Sequence, residues 1–155
     1  MKIRIATAVF VGLSAIGALY AGPRAQETAP ASRSVWDGVY TEEQANRGQV
    51  VYARECSRCH AVDLSGVDEA PALSGGAFLA NWDGLTVGDL SERVRISMPP
   101  NAKGKLSRQQ IVDVLGHLLS VNGFPAGKSE LDPKTEVLKL IRIEATKPKA
   151  NTPSN

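Results

Sequence analysis

The two cysteines of this 155-residue chain lie three positions apart, and a histidine directly follows the second, in the run Cys56-Ser57-Arg58-Cys59-His60. Two thiols at this spacing reach the two vinyl groups at one edge of a porphyrin, and the next residue then presents its imidazole to the iron. This run is the attachment motif of haem c. A chain that carries it has to fold around a large, planar and mostly apolar group.

Three other chemistries use two cysteines at this spacing: a redox dithiol, a structural disulfide and half of a zinc site. A zinc site needs further ligands, and His117 is the only other cysteine or histidine. A thioredoxin-like dithiol stands in a βαβ context, which this sequence lacks. The adjacent histidine favours one covalently bound haem c, with Cys56 and Cys59 as cofactor-binding residues and His60 as an iron ligand.

Met98 is the candidate for the second axial ligand of the iron. It is the only methionine besides Met1, and it stands at the predicted end of a helix, where Pro99 and Pro100 stiffen the backbone. A thioether ligand raises the reduction potential and closes the iron to small molecules. His117 is the rival ligand, but its place off the apolar stripe of the last helix indicates a helix-contact or surface residue.

The N-terminus has the pattern of a secretory signal peptide over residues 1–25. Lys2 and Arg4 precede a largely apolar run from Ile5 to Ala21, and no acidic residue occurs in this segment. The sequence therefore predicts export to the periplasm. The alternative is a retained membrane anchor, because the apolar run is nearly long enough to span a bilayer. Residues 26–33 are small and polar, which is typical of a linker.

The globular domain is predicted over residues 34–143, followed by a disordered tail at 144–155. Thr41–Gln44 has the pattern of a capping box, in which the Gln44 side chain reaches back to the helix start. Two more helices are predicted to begin at Thr86–Asp89 and Ser107–Gln110, and to end at about Met98 and at Asn122-Gly123. Residues 137–143 fit a short strand or an extended tail. The predicted fold class is all-α, with three main helices around the haem.

With these features in place, residues 34–143 resemble a class I cytochrome c. Gly48-Gln49-Val50-Val51-Tyr52 is similar to the first helix of that family, whose glycine lets the last helix cross closely. Pro71-Ala72-Leu73 is similar to the segment over the haem-ligating histidine. The resemblance implies that Pro71 and Leu73 lie beside His60 and that the Pro71 carbonyl accepts the imidazole N–H. It also implies that Trp82 reaches a haem propionate, with core packing as the alternative.

A narrower resemblance concerns Ser34–Thr41, Asn122–Gly127 and Glu130-Leu131, which are similar to cytochrome modules found with PQQ-dependent quinoprotein dehydrogenases. In those relatives the cytochrome accepts electrons from the reduced quinone cofactor. Two positions depart from the family pattern. Ala61 follows His60 where relatives often have glycine, and His117 stands where they usually have an aromatic residue.

The function predicted from these features is that of a monohaem one-electron carrier and not an enzyme. Its expected partners are redox proteins: a PQQ-dependent dehydrogenase as donor, and an oxidase or another cytochrome as acceptor. A membrane partner is expected only if the signal is retained. Beyond the basic signal segment the chain is near neutral, which gives no reason to expect nucleic-acid binding.

Charged residues flank the predicted haem-binding segments and suggest a basic docking rim, against the alternative of an ordinary solvated surface. The basic residues are Arg54, Arg58, Arg93, Arg95, Lys103 and Lys105, and the acidic residues that offset them are Asp63, Asp68 and Glu69.

Two other functions use an open iron: a peroxidase and a gas sensor. Met98 argues against both, because its thioether would occupy the sixth position.

Overall fold

A computed structural model describes residues 32–68 and 70–149 of the chain. The predicted signal peptide, most of the linker and the last six residues of the predicted tail lie outside the described residues. None of the helices within the described ranges is long and apolar enough to cross a membrane.

The described residues form six α-helices and one short parallel strand pair, so the predicted all-α fold is confirmed. The three predicted helices are α1 (Glu42–Glu55), α4 (Val87–Ser97) and α5 (Arg108–Val121). The remaining elements are α2 (Ser57–His60), α3 (Gly75–Trp82), α6 (Thr135–Leu138), a 3-10 turn at Val35–Asp37, β1 (Arg33–Ser34) and β2 (Ile141–Arg142).

Helices α1 and α5 cross closely at Gly48. A Cβ atom added there would lie 1.8 Å from the backbone oxygen of Asp113 and 3.0 Å from the Cβ of His117. No side chain larger than hydrogen fits at that point, because both neighbours belong to the opposing helix. The close crossing implied by the family resemblance is therefore confirmed, and it brings the start of the Cys56–His60 segment against the domain core.

The helix starts agree with the sequence at two of three positions. Thr86 and Asp89 form a reciprocal capping box, as do Ser107 and Gln110. At α1 the Thr41 hydroxyl accepts a hydrogen bond from the Gln44 amide at 3.1 Å. The expected return bond from the Gln44 side chain is wrong, because that side chain is fully buried and binds a different segment.

Gln44 pairs with the backbone of Leu131 in the C-terminal segment. Its Oε1 accepts from the Leu131 N–H at 2.8 Å, and its Nε2 donates to the Leu131 carbonyl at 3.3 Å. Leu131 is itself buried, so its backbone groups have no water to bind and need a protein partner. Gln44 is thus a connection between α1 and a segment that lies 87 positions later in the chain.

The C-terminal segment is more structured than the sequence indicated. Residues 137–143 complete α6 and then form β2, which pairs in parallel with β1 at Arg33–Ile141 and Ser34–Arg142. The ordered contacts extend past residue 143. The Trp36 indole donates to the Glu144 carbonyl at 2.9 Å, and the Ala145 N–H donates to Asp83 at 2.8 Å.

Helix α3 was not foreseen. Ser74 is the N-cap residue but makes no side-chain cap, and the two glycines that follow it disfavour a helix. The helix is held by packing: Phe78 is buried, and its ring lies 6.3 Å from that of Trp82.

Candidate cofactor site

A cavity of about 1290 Å³ opens between α2, the segment after it, α3, α4 and α5. This volume exceeds the about 300–1,000 Å³ of a typical small-molecule site. Every residue proposed from the sequence as cofactor-binding lines it: Cys56, Cys59, His60, Pro71, Leu73, Trp82 and Met98. The fold therefore gathers into one cavity side chains that are spread over 43 positions of the sequence, from 56 to 98 inclusive.

His60 is held in one orientation at the edge of this cavity. It ends α2, is 7% exposed, and its Nδ1 lies 2.8 Å from the carbonyl oxygen of Pro71. A carbonyl only accepts, so Nδ1 carries the proton and donates. The lone pair is then on Nε2, which makes no hydrogen bond within the described part of the chain. That is the tautomer needed to bind a metal through Nε2.

The backbone that follows His60 is fixed by Tyr52 of α1. The Tyr52 hydroxyl lies 2.6 Å from the Ala61 carbonyl oxygen and 3.2 Å from that of His60. Burial raises the pKa of Tyr52 to about 12, so the hydroxyl stays a donor at neutral pH. Ala61 has φ 61° and ψ 162°, a conformation that is rare outside glycine. The residue noted as a departure from the family pattern is therefore a strained one.

The two thiols differ in environment. Cys56 is half-buried and Cys59 is exposed. Burial raises the pKa of Cys56 to about 11, which keeps that thiol protonated. Within residues 32–68 and 70–149 no group of three or more His, Cys, Asp or Glu side chains is placed to hold a metal ion, so the zinc alternative finds no ligand set there.

Met98 and His117 lie in different places. Met98 caps the C-terminus of α4, where its N–H donates to the Val94 carbonyl at 2.9 Å, and it lines the large cavity. His117 is 9% exposed, its ring centroid lies 5.4 Å from that of Tyr52, and it lines a separate cavity of about 290 Å³. Of the two roles expected for His117, helix contact is confirmed and a surface position is wrong, because the side chain is buried against Tyr52 of α1.

Trp82 and Leu73 line the cavity from the α3 side. Trp82 packs against the core, which was the alternative to a propionate contact, and its indole N–H makes no hydrogen bond among the described residues. Sequence reasoning missed the apolar wall opposite, which consists of Leu90, Val94, Leu106, Val114 and Leu118. The apolar stripes of α4 and α5 carried this signal, but a stripe alone does not distinguish packing on a cofactor from packing on protein.

Sequence reasoning also missed the Asn122 side chain, which was assigned only a helix-ending role. It bonds to the backbone on both sides of Ser74, in the segment that carries Pro71 and Leu73.

The predicted basic residues are only partly free. Lys105 and Arg54 both pair with Glu55, at 2.9 and 2.8 Å, and Arg95 pairs with Glu92 at 2.6 Å. The bonds from Lys105 and Arg54 lower the pKa of Glu55. Arg58 and Arg93 are exposed, line the cavity and form no ion pair with any residue that the structure describes. Glu69, one of the offsetting acids, lies outside the described residues.

The residues at this site fit a haem c. The cavity is large and mostly lined by carbon, an imidazole is fixed with Nε2 uncommitted, and a thioether and two thiols line the same space. These are the donors that a covalently attached haem uses. The thiols are placed to hold the porphyrin edge, and His60 and Met98 are the candidates for the iron.

The chain is similar to a known protein family and to a solved structure. Residues 43–118 match the family described as cytochrome c oxidase, cbb3-type, subunit III. The crystal structure of the sulfane dehydrogenase SoxCD from Paracoccus pantotrophus is similar with a TM-score of 0.46 and 21% sequence identity, over 69% of this chain and 61% of that chain. This chain thus spans about 61% of the length of that protein chain. None of the curated proteins compared with the sequence matches it significantly.

Proposed function

We propose that the chain, whose residues 43–118 match the cbb3-type subunit III family, is a class I cytochrome c that acts as an exported, monohaem, one-electron carrier with His60 and Met98 as iron ligands. One observation carries the proposal: His60 Nδ1 is bonded to the Pro71 carbonyl at 2.8 Å, on the same cavity that Met98 and both cysteines line. A bound haem supplies a one-electron Fe(III)/Fe(II) couple.

The protein side of the chemistry is to hold the ligands still and to keep water out. The Pro71 carbonyl holds the His60 imidazole and Tyr52 holds the backbone that follows it, so the ring does not turn. The side chains of the apolar wall defined above offer water no hydrogen-bond partner. A fixed ligand set in a dry site keeps the rearrangement between the two redox states small, which suits electron transfer and needs no substrate pocket.

Electron exchange requires a partner that docks at the cavity mouth, and we propose that the partner surface is acidic there. Arg58 and Arg93 are the two exposed guanidinium groups at the mouth without an ion pair in the described residues. Complementary charge raises the rate of association more than it raises the affinity. The donor that we propose, on the sequence resemblance alone, is a PQQ-dependent dehydrogenase, and the acceptor is an oxidase or another cytochrome.

The proposed location is the periplasm, which rests on the signal-peptide pattern of residues 1–25. A retained signal would instead anchor the carrier to the membrane.

The test is spectroscopic. The protein is expressed with a haem c maturation system, and oxidised and reduced spectra are recorded for the wild type, Met98→Ala and His117→Phe. We expect the weak near-red sulfur-to-iron band in the oxidised wild type and in His117→Phe, with no carbon monoxide binding to either reduced form. Met98→Ala should lose the band, have a lower potential and bind carbon monoxide.

The outcomes separate the rival functions. Carbon monoxide binding by the reduced wild type would show an open iron and replace the carrier by a gas-binding protein. Rapid reaction of the oxidised wild type with peroxide would favour a peroxidase. Loss of ligation in His117→Phe would make His117 the ligand.

A further inference from the structure

The segment that carries the His60 hydrogen-bond acceptor has no regular structure of its own. Residues 71–74 lie between an isolated bridge at Val67–Ala70 and the start of α3. One backbone bond ties this segment to the preceding loop, from the Leu73 N–H to the Leu64 carbonyl at 2.8 Å. Pro71 itself is exposed and has no N–H to donate. The position of its carbonyl therefore depends on what holds its neighbours, which are the Val67–Ala70 bridge before it and the residues after it.

Asn122 supplies that hold. Its Nδ2 donates to the Leu73 carbonyl at 3.0 Å, and its Oδ1 accepts from the Gly75 N–H at 3.0 Å. The two bonds lie on either side of Ser74 and need a donor and an acceptor on one short side chain. An amide provides both.

Asn122 is itself anchored on the most buried helix of the domain. It is the C-cap of α5, its Nδ2 also donates to the Leu118 carbonyl at 2.8 Å, and its backbone N–H donates to the same carbonyl at 3.1 Å. Leu118 is 2% exposed and lines the large cavity. The segment that carries Pro71 is thus tied to the cavity wall through one amide side chain.

We propose that Asn122 is a positioning residue for the His60 ligand: it fixes the Leu73–Gly75 backbone, and thereby the Pro71 carbonyl that accepts from His60 Nδ1. The inference rests on the proposed function. A firm Nδ1–H bond makes the imidazole a stronger electron donor and favours the oxidised iron. When Asn122 is removed, the bond weakens and the reduction potential rises.

The test compares holoprotein of wild type, Asn122→Ala, Asn122→Ser and the control Asn46→Ala. Asn46 is exposed on α1, lines neither cavity and makes no side-chain hydrogen bond among the described residues. Two quantities are measured: the reduction potential, and the NMR resonance and exchange rate of the His60 Nδ1 proton in the reduced form. A residue with only a structural role would lower stability and leave both unchanged.

In the two Asn122 variants we expect a higher potential, an upfield shift of the Nδ1 proton and exchange of that proton on the order of tenfold faster, the factor for one lost hydrogen bond. Asn46→Ala should match the wild type. An unchanged potential and Nδ1 resonance in correctly loaded Asn122→Ala would overturn the inference.

A measurement on the wild type keeps the inference falsifiable if both variants fail to fold. The Gly75 amide is exposed to water except for its bond to Asn122, so it should be protected from exchange in the wild-type holoprotein. An unprotected Gly75 amide would overturn the inference. Failure of the proposed function has a different signature, since the wild type would then lack covalent haem or a reversible one-electron couple.

Discussion

The Tyr52 hydroxyl donates a hydrogen bond to the carbonyl oxygen of Ala61, and the two oxygens are 2.6 Å apart. Ala61 follows His60 and has a positive φ of 61°. The hydrogen bond holds the chain in a conformation that an alanine does not favour. Ala61 directly follows the haem attachment motif, so the strained residue and the Tyr52 hydrogen bond that restrains it both adjoin His60.

Ala61→Gly should stabilise the holoprotein by about 1 kcal/mol. The strain at such a residue is of order 1–3 kcal/mol, and the greater freedom of glycine in the unfolded chain offsets part of the gain. Denaturant unfolding of the two proteins measures the difference. Ala53→Gly is the matched control, because Ala53 is an ordinary helical residue of α1 and should lose about 1 kcal/mol. Equal losses at both positions would contradict the strain.

Gly48→Ala should destabilise the domain by at least about 2 kcal/mol, since the added methyl would lie 1.8 Å from the Asp113 oxygen and force α1 and α5 apart. Thermal unfolding of the holoprotein measures the loss. Gly76→Ala is the control. Gly76 lies in α3 with nothing within 4 Å of an added Cβ, so this change should be neutral or stabilising.

Gln44→Ala should cost about 2–3 kcal/mol of unfolding free energy. It leaves the buried N–H and C=O of Leu131 without their partners, and each carries a desolvation penalty. Gln44→Glu separates the two bonds, because a carboxylate still accepts from the Leu131 N–H but faces the Leu131 carbonyl with another acceptor. Chemical denaturation compares the variants, with Gln49→Ala as a control, because Gln49 is exposed in α1 and makes no side-chain hydrogen bond among the described residues. A cost no larger than that of the control would mean that the pairing contributes little.

The Asp89 carboxylate should make the start of α4 sensitive to acid. Hydrogen bonds from the Thr86 hydroxyl and N–H lower the pKa of Asp89 below its ordinary value of 3.8. A carboxylate whose pKa is lower in the folded than in the unfolded protein stabilises the folded state at any pH above its unfolded-state pKa. This stabilisation is lost as the pH falls through the folded-state pKa. The melting temperature of the wild type should therefore exceed that of Asp89→Asn at pH 6, and the two should converge below about pH 3.8.

The control for this pH effect is Glu136→Gln. Glu136 is exposed in the first turn of α6 and makes no side-chain hydrogen bond among the described residues. In Glu136→Gln the melting temperature should fall with decreasing pH in parallel with that of the wild type. If Asp89→Asn stays parallel to the wild type as well, the capping carboxylate has no part in acid stability.

Arg58→Gln and Arg93→Gln should slow electron transfer to an acidic partner and weaken its dependence on salt, because these two guanidinium groups face the mouth of the cavity. Stopped-flow reduction of an anionic and a cationic small redox reagent at several salt concentrations measures the effect. The rate with the anionic reagent should fall and that with the cationic one should rise. Lys128→Gln removes one positive charge from an exposed position outside the cavity lining and should change neither rate appreciably. Equal effects of all three variants would point to net charge alone.

Local rules predicted the parts of this fold that depend on neighbours in sequence. The starts at Thr86 and Ser107 and the end of α4 at Met98 follow from contacts within four residues, so the residue types suffice. The same holds for the spacing of Cys56, Cys59 and His60, since chemistry and not packing sets it.

The tertiary structure alone decided the long-range pairings. Gln44 fits a capping box in sequence, yet its side chain binds the backbone of Leu131. The Leu131 backbone is buried away from water, so it needs a protein hydrogen-bond partner, and the Gln44 amide is that partner. A short strand was one of the two alternatives for residues 137–143, but its pairing with β1 could not be predicted, and α3 forms by packing of Phe78 without a cap. Asn122 ends α5 by local rules, but its contact with the Leu73–Gly75 backbone comes from the approach of two elements about 50 positions apart in sequence. The sequence determines which hydrogen bonds a side chain is able to form. Only the packed chain determines which of them form, because burial removes water as the alternative partner.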